Sequence, residues 1–466
     1  MTISEIRILP PFAIGRLGAS TTPLENFDLV PDDDNTLGFR RIKGAETFRV
    51  DRESGEIRGS YRPERIQFRD GGAIRPVAPF LEVFARTDGD NLEPLTLALL
   101  DKHKLTPAAL KWRVEVGNLK IFRRTSAARD RIQAKAEFSD HHAHALEGRC
   151  ANFFDGKVLP LGFAQYIKPT PQFPEIRLRF TPAGGWVYGA SARRKTVDAF
   201  NKVVETDDTI IHPDRIVYDP NKGSWRGFDD NATAAPERTV PGAIYAGYSD
   251  PVSGDQISWG YLDDECDGIV TVTLAIGEKC LSAFARIAAG PPTFAPDSVP
   301  IRTVADELDQ ILLGPNADAS MTLAEAEEIV RRAGESVRLM NTAAMNGNTI
   351  EGRTNVASTM VRQDTNDFSR YYQPIMTPTS VDNHALLALH QNILAALRSG
   401  TGAWFAEALR QPEQIGDLSD AGRRKMPAMM RGADGRLLTL SRRQIATIVK
   451  SAVGSMFAAP KQGDGQ

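Results

Sequence analysis

Three features are scarce in this sequence of 466 residues, and each scarcity excludes a class of protein. There are three cysteines, an odd number at low density, so no disulfide framework is expected. No apolar run approaches the roughly 18 residues that cross a bilayer, so no membrane span is predicted. Basic residues number 56 against 59 acidic ones, which argues against a nucleic-acid surface. The first residues lack a secretory signal, so we expect a cytoplasmic protein.

The residues that are present favour a folded chain of mixed structure. Hydrophobic residues make up 41% and charged residues 25%, both close to globular averages. Short runs such as Arg113–Val116 and Ile176–Phe180 alternate apolar and polar residues, and this alternation predicts half-buried strands. Regular alternation of strands with helices is absent, which favours an antiparallel, sandwich-like region over 1–300.

Beyond residue 300 the pattern becomes that of helices. Capping boxes at Thr322–Glu325 and Ser441–Gln444 each precede apolar residues at helical spacing, and the first of these helices is predicted to reach about residue 345. An apolar stripe within 382–399 predicts another helix. We therefore predict an α+β fold, in which a helical region at 301–466 packs on the β-rich region at 1–300.

Two interior segments interrupt the strand pattern. Residues 190–205 fit either a helix or a structured loop. Residues 218–257 are rich in Asp, Asn, Pro and Gly, and an irregular segment of this length is typical of functional loops. If the β-rich region is a binding module, residues 218–257 are its expected lid.

The densest group of metal-ligand residue types lies within ten positions. His141, His142 and His144 are three of the seven histidines, and Cys150 follows six residues later. Imidazole and thiolate groups bind zinc, copper or iron, so these four residues are the candidate metal ligands. Neither a strand nor a helix brings all three imidazoles to one face, and a polar surface loop is the alternative.

A second group places four carboxylates within five positions. They are Asp263, Asp264, Glu265 and Asp267. This number of carboxylates suits a hard cation, although the spacing is not that of an EF-hand. Like charges this close repel, so we expect some to be paired or one to have a raised pKa. An acidic turn before a strand is the favoured alternative, because Asp-Gly is common in turns.

The cysteines and nearby aromatic residues offer candidates for catalysis. Cys266 lies close in sequence to Trp259 and Tyr261, a pairing that suits a cross-link between cysteine and an aromatic ring. Cys150 and Cys266 lie among polar residues and are candidate reactive thiols, whereas a buried, inert thiol is expected for Cys280 in a strand-like run. The candidate catalytic residues are Cys266, Trp259, Tyr261, Asp263, Asp264 and Asp267.

Seven segments, spread in order along nearly the whole chain, carry a family resemblance. They are Ile8–Gly18 (ILPPFAIGRLG), Gly72–Phe80, Leu110–Phe122 (LKWRVEVGNLKIF), Glu175–Gly189, Trp259–Val270, Pro291–Pro296 (PPTFAP), and Met426–Gln444 with Gly454–Phe457. In this order they resemble the LodA-like family of lysine ε-oxidases and glycine oxidases, which build a cysteine tryptophylquinone from their own side chains. Glu115 stands where the family often has His, and Cys266 stands where it has Ser.

The resemblance implies a β-rich N-terminal part, a helical C-terminal part and a setting of amine or amino-acid oxidation. In the family, the quinone-forming cysteine and tryptophan lie beyond the last segment. Here no Cys follows Cys280 and no Trp follows Trp404, so we expect no quinone in this chain. The resulting hypothesis is a scaffold subunit of an oxidase, whose partner is another oxidase subunit or a maturation flavoprotein.

Two alternatives remain open. An oxidoreductase with a different centre would use a metal at the histidine cluster or a cross-link between cysteine and an aromatic ring. A binding module would hold an amino acid or a peptide in a groove of the β-rich region. No cofactor is assured by the sequence, and a metal ion is the candidate that the residue types support.

Overall fold

The computed structural model describes most of the chain up to residue 337 and shorter stretches beyond it. The described residues are 3–31, 40–87, 91–154, 156–191, 193–209, 211–219, 247–249, 256–258, 262–293, 295–317, 321–337, 388, 391–399, 409–414, 425 and 439–457. They form two compact units. The first unit holds residues up to Asp28 and from Lys43 to 293, and the second holds Leu29–Ile42 and the described residues from Ala295 onward.

Strands make up most of the first unit. In chain order the strands of the molecule are β1 (Glu5–Leu9), β2 (Phe12–Arg16), β3 (Phe27–Pro31), β4 (Arg40–Gly44), β5 (Thr47–Val50), β6 (Ile57–Tyr61), β7 (Arg69–Asp70), β8 (Ala73–Ile74), β9 (Phe80–Arg86), β10 (Leu92–Pro94), β11 (Leu110–Asn118), β12 (Ile132–Phe138), β13 (Ala143–Gly148), β14 (Leu159–Ile167), β15 (Arg177–Thr181), β16 (Val187–Ala190), β17 (Arg193–Val197), β18 (Val203–Thr209), β19 (Ile216–Tyr218), β20 (Gly247–Ser249), β21 (Gln256–Ser258), β22 (Leu262–Asp263), β23 (Cys266–Ile276) and β24 (Lys279–Gly290). Two short helices, α1 (Leu97–Lys102) and α2 (Lys120–Thr125), lie between them.

Two main sheets form the body of the first unit. Sheet one has the strand order β1-β9-β15-β14-β13, with β10 beside β9, and sheet two has the order β12-β11-β23-β24-β2. Pairings within both sheets are antiparallel, except that β2 runs parallel to β24. Buried and accessible residues alternate along β9 and β11, so one face of each strand points inward.

The inward faces of the two sheets share one apolar cluster. Trp112 on β11 and Tyr166 on β14 come from different sheets, and their ring centroids lie 5.8 Å apart. Leu81 on β9 and Val270 on β23 are completely buried in the same cluster. Two sheets that share one core, in a strand-rich molecule with some helices, are broadly consistent with the predicted α+β class.

The segment at 190–205 is a β-hairpin, and neither the predicted helix nor the predicted loop is correct. Strands β17 and β18 pair antiparallel across a tight turn. Asp198 Oδ1 accepts the backbone N–H groups of Phe200 and Lys202, and Asn201 has a φ of 58°. Asp and Asn stabilise turns in this way, so the turn chemistry outweighs the helical spacing of the flanking residues.

The described part of the second unit contains three complete helices. They are α3 (Val304–Leu313), α4 (Leu323–Val337) and α5 (Arg442–Phe457), and residues 391–398 are helical as well. Ile329, Leu397 and Ile448 are buried in one apolar cluster there. Among the described helices of the whole chain, none is long and apolar enough to cross a membrane.

Both predicted capping boxes are confirmed. The Thr322 N–H donates to Glu325 at 2.7 Å, and the Glu325 N–H donates to the Thr322 hydroxyl at 3.3 Å. The Ser441 N–H donates to Gln444 Oε1 at 2.8 Å, and the return bond measures 3.1 Å. These bonds satisfy N–H groups that the first helical turn leaves unpaired. The predicted continuation of the first helix to about residue 345 lies outside the described residues.

Candidate binding pocket

The accessible face of sheet one forms the floor of a pocket in the first unit. Strand register places Phe80, Arg179, Gln165 and Ala143 in one row across β9, β15, β14 and β13. Their neighbours Leu178 and Phe180 point into the core instead, because successive side chains of a strand alternate between its faces. The row therefore brings one cationic and one amide side chain side by side on one surface.

Loops close over this floor and leave a cavity of about 290 Å³. This volume is near the lower end of ligand-binding cavities. Aromatic side chains contribute to its walls, and Trp186 is 43% exposed there. Among the described residues that line the cavity, two are arginines and none is acidic. The residues that line the cavity include Ser20, Arg52, Phe163, Gln165, Arg179, Gly184, Trp186 and Tyr188.

Arg179 is the cation at the centre of the floor. Its side chain is half-buried, and desolvation of its guanidinium lowers its pKa to about 10. Its Nε atom is buried without a hydrogen-bond partner among the described residues, and no ion pair joins the guanidinium to any of them. The guanidinium carbon lies 5.2 Å from the centroid of the Phe80 ring. A buried cation without an anion is costly, so the pocket is prepared for an anionic group.

Arg177 stands two residues earlier on the same face of β15 and has two acidic partners, while its Nη1 atom is buried without a hydrogen bond among the described residues. Its guanidinium lies 2.6 Å from Glu82 and 3.1 Å from Glu175. Arg177 thus has two acidic partners, whereas Arg179 on the same strand has none among the described residues. The missing partner of Arg179 is therefore a local property of the pocket.

Gln165 presents a fixed acceptor beside Arg179. The side chain is 6% exposed, and its Nε2 donates to the carbonyl oxygens of Arg52 and His141, both at 2.9 Å. Two carbonyl acceptors settle the orientation of the amide, since only nitrogen can donate to them. A Cβ at Gly55, whose φ is +70°, would lie 3.2 Å from this nitrogen. The Oε1 atom has no partner within the described part of the chain and is an acceptor for a ligand.

Arg52 lies at the exposed edge of the same pocket. Its guanidinium carbon lies 5.2 Å from the centroid of the Phe163 ring. A cation over an aromatic face is attracted to it, which orders the side chain near the pocket. Arg52 adds positive charge to the pocket that Arg179 already makes cationic.

Asp264 lies behind the wall of the pocket. It is completely buried, and its Oδ2 accepts the backbone N–H groups of Gly185 and Trp186, both at 3.0 Å. Burial raises the pKa of Asp264 to about 6. One carboxylate of this cluster therefore has a raised pKa, but the main cause is burial and not the predicted repulsion between carboxylates, to which Asp263 adds the smallest contribution.

Two other carboxylates of the cluster are paired, as expected. Asp263 and Glu265 both accept from the Lys120 ammonium, and Asn118 donates to Asp263 at 2.9 Å. Asp267 points outward, with 61% of its side chain exposed. The cluster is therefore a turn between β22 and β23 whose members differ in environment, and the cation site that it suggested stays a prediction.

The environments of the three thiols differ from those predicted. Cys266 is 5% exposed, its Sγ lies 3.5 Å from the Leu161 carbonyl oxygen, and burial raises its pKa to about 12. Cys150 is half-buried with a pKa raised to about 11 by the same effect. Cys280, expected to be buried, is exposed. A raised pKa removes thiolate, the reactive form, at neutral pH. Trp259 and Tyr261, the proposed cross-linking partners, lie outside the described residues.

The histidines lie near the start of β13 and have separate partners. His141 Nδ1 lies 3.1 Å from the Tyr166 carbonyl oxygen, and His144 Nε2 lies 2.9 Å from Asp140. His144 also stacks on Phe138 with ring centroids 4.2 Å apart, while His142 is exposed. Within the described ranges, no three His, Cys, Asp or Glu side chains are grouped as metal ligands. Metal binding at His141, His142, His144 and Cys150 stays a prediction.

The sequence reasoning did not single out Arg179 or Gln165. The alternation of Ile176–Phe180 predicts correctly that Arg177 and Arg179 share one face of a strand, although Arg177 is buried there. Which of them has an acidic partner depends on β9, about a hundred residues away, and on the register between the strands. The predicted lid at 218–257 lies mostly outside the described residues.

Comparison with known proteins gives similarities at the level of solved structures. No protein-family model and no curated protein matches the chain. A crystal structure of L-lysine ε-oxidase from Marinomonas mediterranea is 14% identical, with a TM-score of 0.41. The Schiff base intermediate of the same enzyme with L-lysine gives 13% identity and a TM-score of 0.42. Each match covers 97% of this chain and 61% of the oxidase chain, so this chain spans less than two thirds of the length of the oxidase.

Proposed function

We propose that the first unit binds a small organic carboxylate in the pocket on sheet one. The observation that carries the proposal is the guanidinium of Arg179, which is withdrawn from water, lines the cavity and has no acidic partner among the described residues. Arginine binds carboxylates through two parallel N–H groups. A bound carboxylate would supply the charge that the pocket lacks.

The fixed acceptor of Gln165 narrows the class of ligand. Arg179 and Gln165 are direct cross-strand partners, and such side chains start about 5 Å apart. A ligand that reaches both needs a hydrogen-bond donor next to its carboxylate, as in 2-hydroxy acids and amino acids. Phe163 and Trp186 favour an aromatic or other apolar remainder. Amino acids, the ligands of the binding module that the sequence left open, belong to this class.

Calorimetric titration of the full chain with three acids of one skeleton tests the proposal. The probes are 3-phenylpropionate, 3-phenyllactate and phenylalanine, which differ at the carbon next to the carboxylate. We expect 3-phenyllactate to bind about twofold to tenfold more tightly than 3-phenylpropionate, since its hydroxyl adds one neutral donor. Phenylalanine should bind less tightly than 3-phenyllactate, since its ammonium group adds donors together with a positive charge in a cationic pocket.

Arg179→Gln removes the charge and is expected to weaken binding about tenfold to a hundredfold. Arg113→Gln is the matched control, because Arg113 is an exposed arginine of sheet two outside the pocket. Equal affinity of Arg179→Gln and the unmodified chain would contradict the proposal, as would the absence of binding by all three acids.

A second candidate function, the scaffold subunit of an oxidase, is favoured by helix α3. Val304, Leu308, Ile311 and Leu312 form one apolar stripe on it at helical spacing. These side chains are exposed by 48%, 50%, 75% and 76%, respectively. The opposite side of α3 carries Asp306, which pairs with Arg332 at 2.9 Å, and the exposed Leu313. An exposed apolar patch of this kind is typical of surfaces that bind another protein.

Co-expression with the products of neighbouring genes tests this candidate. Leu312→Glu is expected to abolish a complex that the unmodified chain forms, because it places a charge in the most exposed part of the stripe. Phe284→Glu, at an exposed apolar residue of the first unit, is the control and should leave the complex intact. A chain that stays monomeric with every neighbour would contradict the scaffold hypothesis.

A further inference from the structure

Asp264 is bonded directly to the backbone that forms one wall of the pocket. Its Oδ2 accepts the N–H groups of two consecutive residues, Gly185 and Trp186. Gly184 and Trp186 line the cavity. Through these two bonds, the buried carboxylate acts on the residues that a ligand would touch.

The wall has a shape that needs such support. Gly185 has a φ of +76°, a conformation that residues with a Cβ rarely adopt. A Cβ at Gly184 would lie 2.4 Å from the indole nitrogen of Trp186, so the indole folds back over Gly184. The guanidinium carbon of Arg215 lies 4.1 Å from the centroid of the same indole. The hydrogen bonds from the Gly185 and Trp186 N–H groups to Asp264 hold the backbone of this turn in place beside the Trp186 side chain.

The charged and titratable groups around Asp264 come from several elements. Tyr188 belongs to β16 and also faces Arg215, which belongs to the turn at Pro213–Arg215. Asp263 ends β22, Glu265 lies beside Asp264 in the turn, and Asp267 lies in β23. Lys120 of α2 neutralises Asp263 and Glu265. Among the described residues, Asp264 itself has no cationic partner, and its Oδ1 is buried without a hydrogen bond. Its charge is therefore held by backbone N–H groups, those of Trp186 and Gly185 in the wall and its own.

We propose that Asp264 is a positioning residue: as a carboxylate it holds the wall at 184–186 in the binding shape, and protonation releases that wall. Hydrogen bonds to a charged acceptor are about twice as strong as those to a neutral one. A carboxylic acid also carries an O–H group, which finds no acceptor around Oδ1 in the described structure. The consequence for ligand affinity rests on the proposed carboxylate binding, whereas the movement of the wall does not.

Fluorine NMR of the full chain labelled with 5-fluorotryptophan measures the wall directly. The Trp186 resonance is identified by its loss in Trp186→Phe. Since the pKa of Asp264 is raised to about 6, the resonance is expected to shift with a midpoint near that pH. In Asp264→Asn it should stay at the low-pH position throughout, whereas Asp267→Asn, at an exposed position of the same turn, should titrate normally.

A Trp186 resonance that does not change between about pH 5 and about pH 7.5 would overturn the inference, and this outcome needs no variant to fold. The same conclusion follows if Asp264→Asn titrates like the unmodified chain. Affinity for 3-phenyllactate is expected to be about tenfold weaker at the lower pH. Tighter binding there would mean that Asp264 acts by repelling the ligand. If no acid binds at either pH, the carboxylate proposal fails, and the resonance still decides the role of Asp264.

Discussion

Each unit of the molecule contains an arginine withdrawn from water, and the two differ in what faces the charge. In the second unit, Arg40 is 8% exposed and lies 2.8 Å from Glu335 and 2.7 Å from Glu328. In the first unit, Arg179 lines a cavity and has no acidic partner among the described residues. A paired guanidinium serves the fold, because its desolvation is offset within the protein. A guanidinium without an acidic partner that lines a cavity, like that of Arg179, is better explained by the binding of an anionic ligand.

The largest expected effect comes from breaking the pair in the second unit. Glu335→Ala removes the carboxylate whose two oxygens share the Nε–H of Arg40, and it removes the acceptor of the Val299 N–H. We expect a loss of up to about 3–5 kcal/mol in the free energy of unfolding, the usual cost of removing one partner of a buried pair, with the Glu328 pair of Arg40 at 2.7 Å left in place. Urea denaturation measures it. Glu327→Ala, which removes the exposed pair with Arg398, should cost less than about 1 kcal/mol.

The next effect concerns the buried acid of the first unit. Because the pKa of Asp264 is raised from 3.8 to about 6, the folded state binds a proton more tightly than the unfolded state. Its contribution to stability is therefore full below about pH 4 and falls as the pH rises through 6. The decrease amounts to at most about 3 kcal/mol.

Urea denaturation across this pH range checks the sign. Asp264→Asn should remove this part of the pH dependence, and Asp267→Asn should keep it. If the contribution of Asp264 made the free energy of unfolding rise with pH in this range, the fold would stabilise its carboxylate form. Asp264 would then no longer stand beside Arg179 as a buried group without a compensating charge, in contrast to Arg40.

The smallest effect on the free energy of unfolding is expected at Arg179, whose charge has no acidic partner among the described residues. Arg179→Met keeps the length of the side chain and removes a desolvated charge, so the free energy of unfolding should stay the same or rise by about 1 kcal/mol. Urea denaturation without ligand provides the measurement. A loss as large as that of Glu335→Ala would mean that Arg179 supports the fold in the way that Arg40 does.

Local patterns predicted local structure well. The alternation in Arg113–Val116 and Ile176–Phe180 lies in strands β11 and β15, and the capping boxes at Thr322 and Ser441 begin helices α4 and α5. In these cases the interactions that decide the structure lie within about four residues of one another.

Long-range features were beyond the reach of these patterns. Cys266 is buried because it shares the inward face of β23 with Val270 and Val272, although its sequence neighbours are acidic. Cys280 is exposed because it stands at the end of the β23–β24 hairpin. The pocket depends on the register of three strands and on loops from distant parts of the chain, and no spacing in the sequence encodes that register.

The locked amide of Gln165 has a consequence for the handedness of a ligand. A carboxylate held by Arg179, a neighbouring donor held by Gln165 Oε1 and an apolar group against Trp186 would be three attachment points. Two mirror-image molecules cannot make the same three contacts, since exchanging two substituents moves the third away from its partner. Because two backbone carbonyls prevent the amide from turning, the pocket could not adapt to the opposite isomer, and it is expected to select one enantiomer of a 2-hydroxy or 2-amino acid.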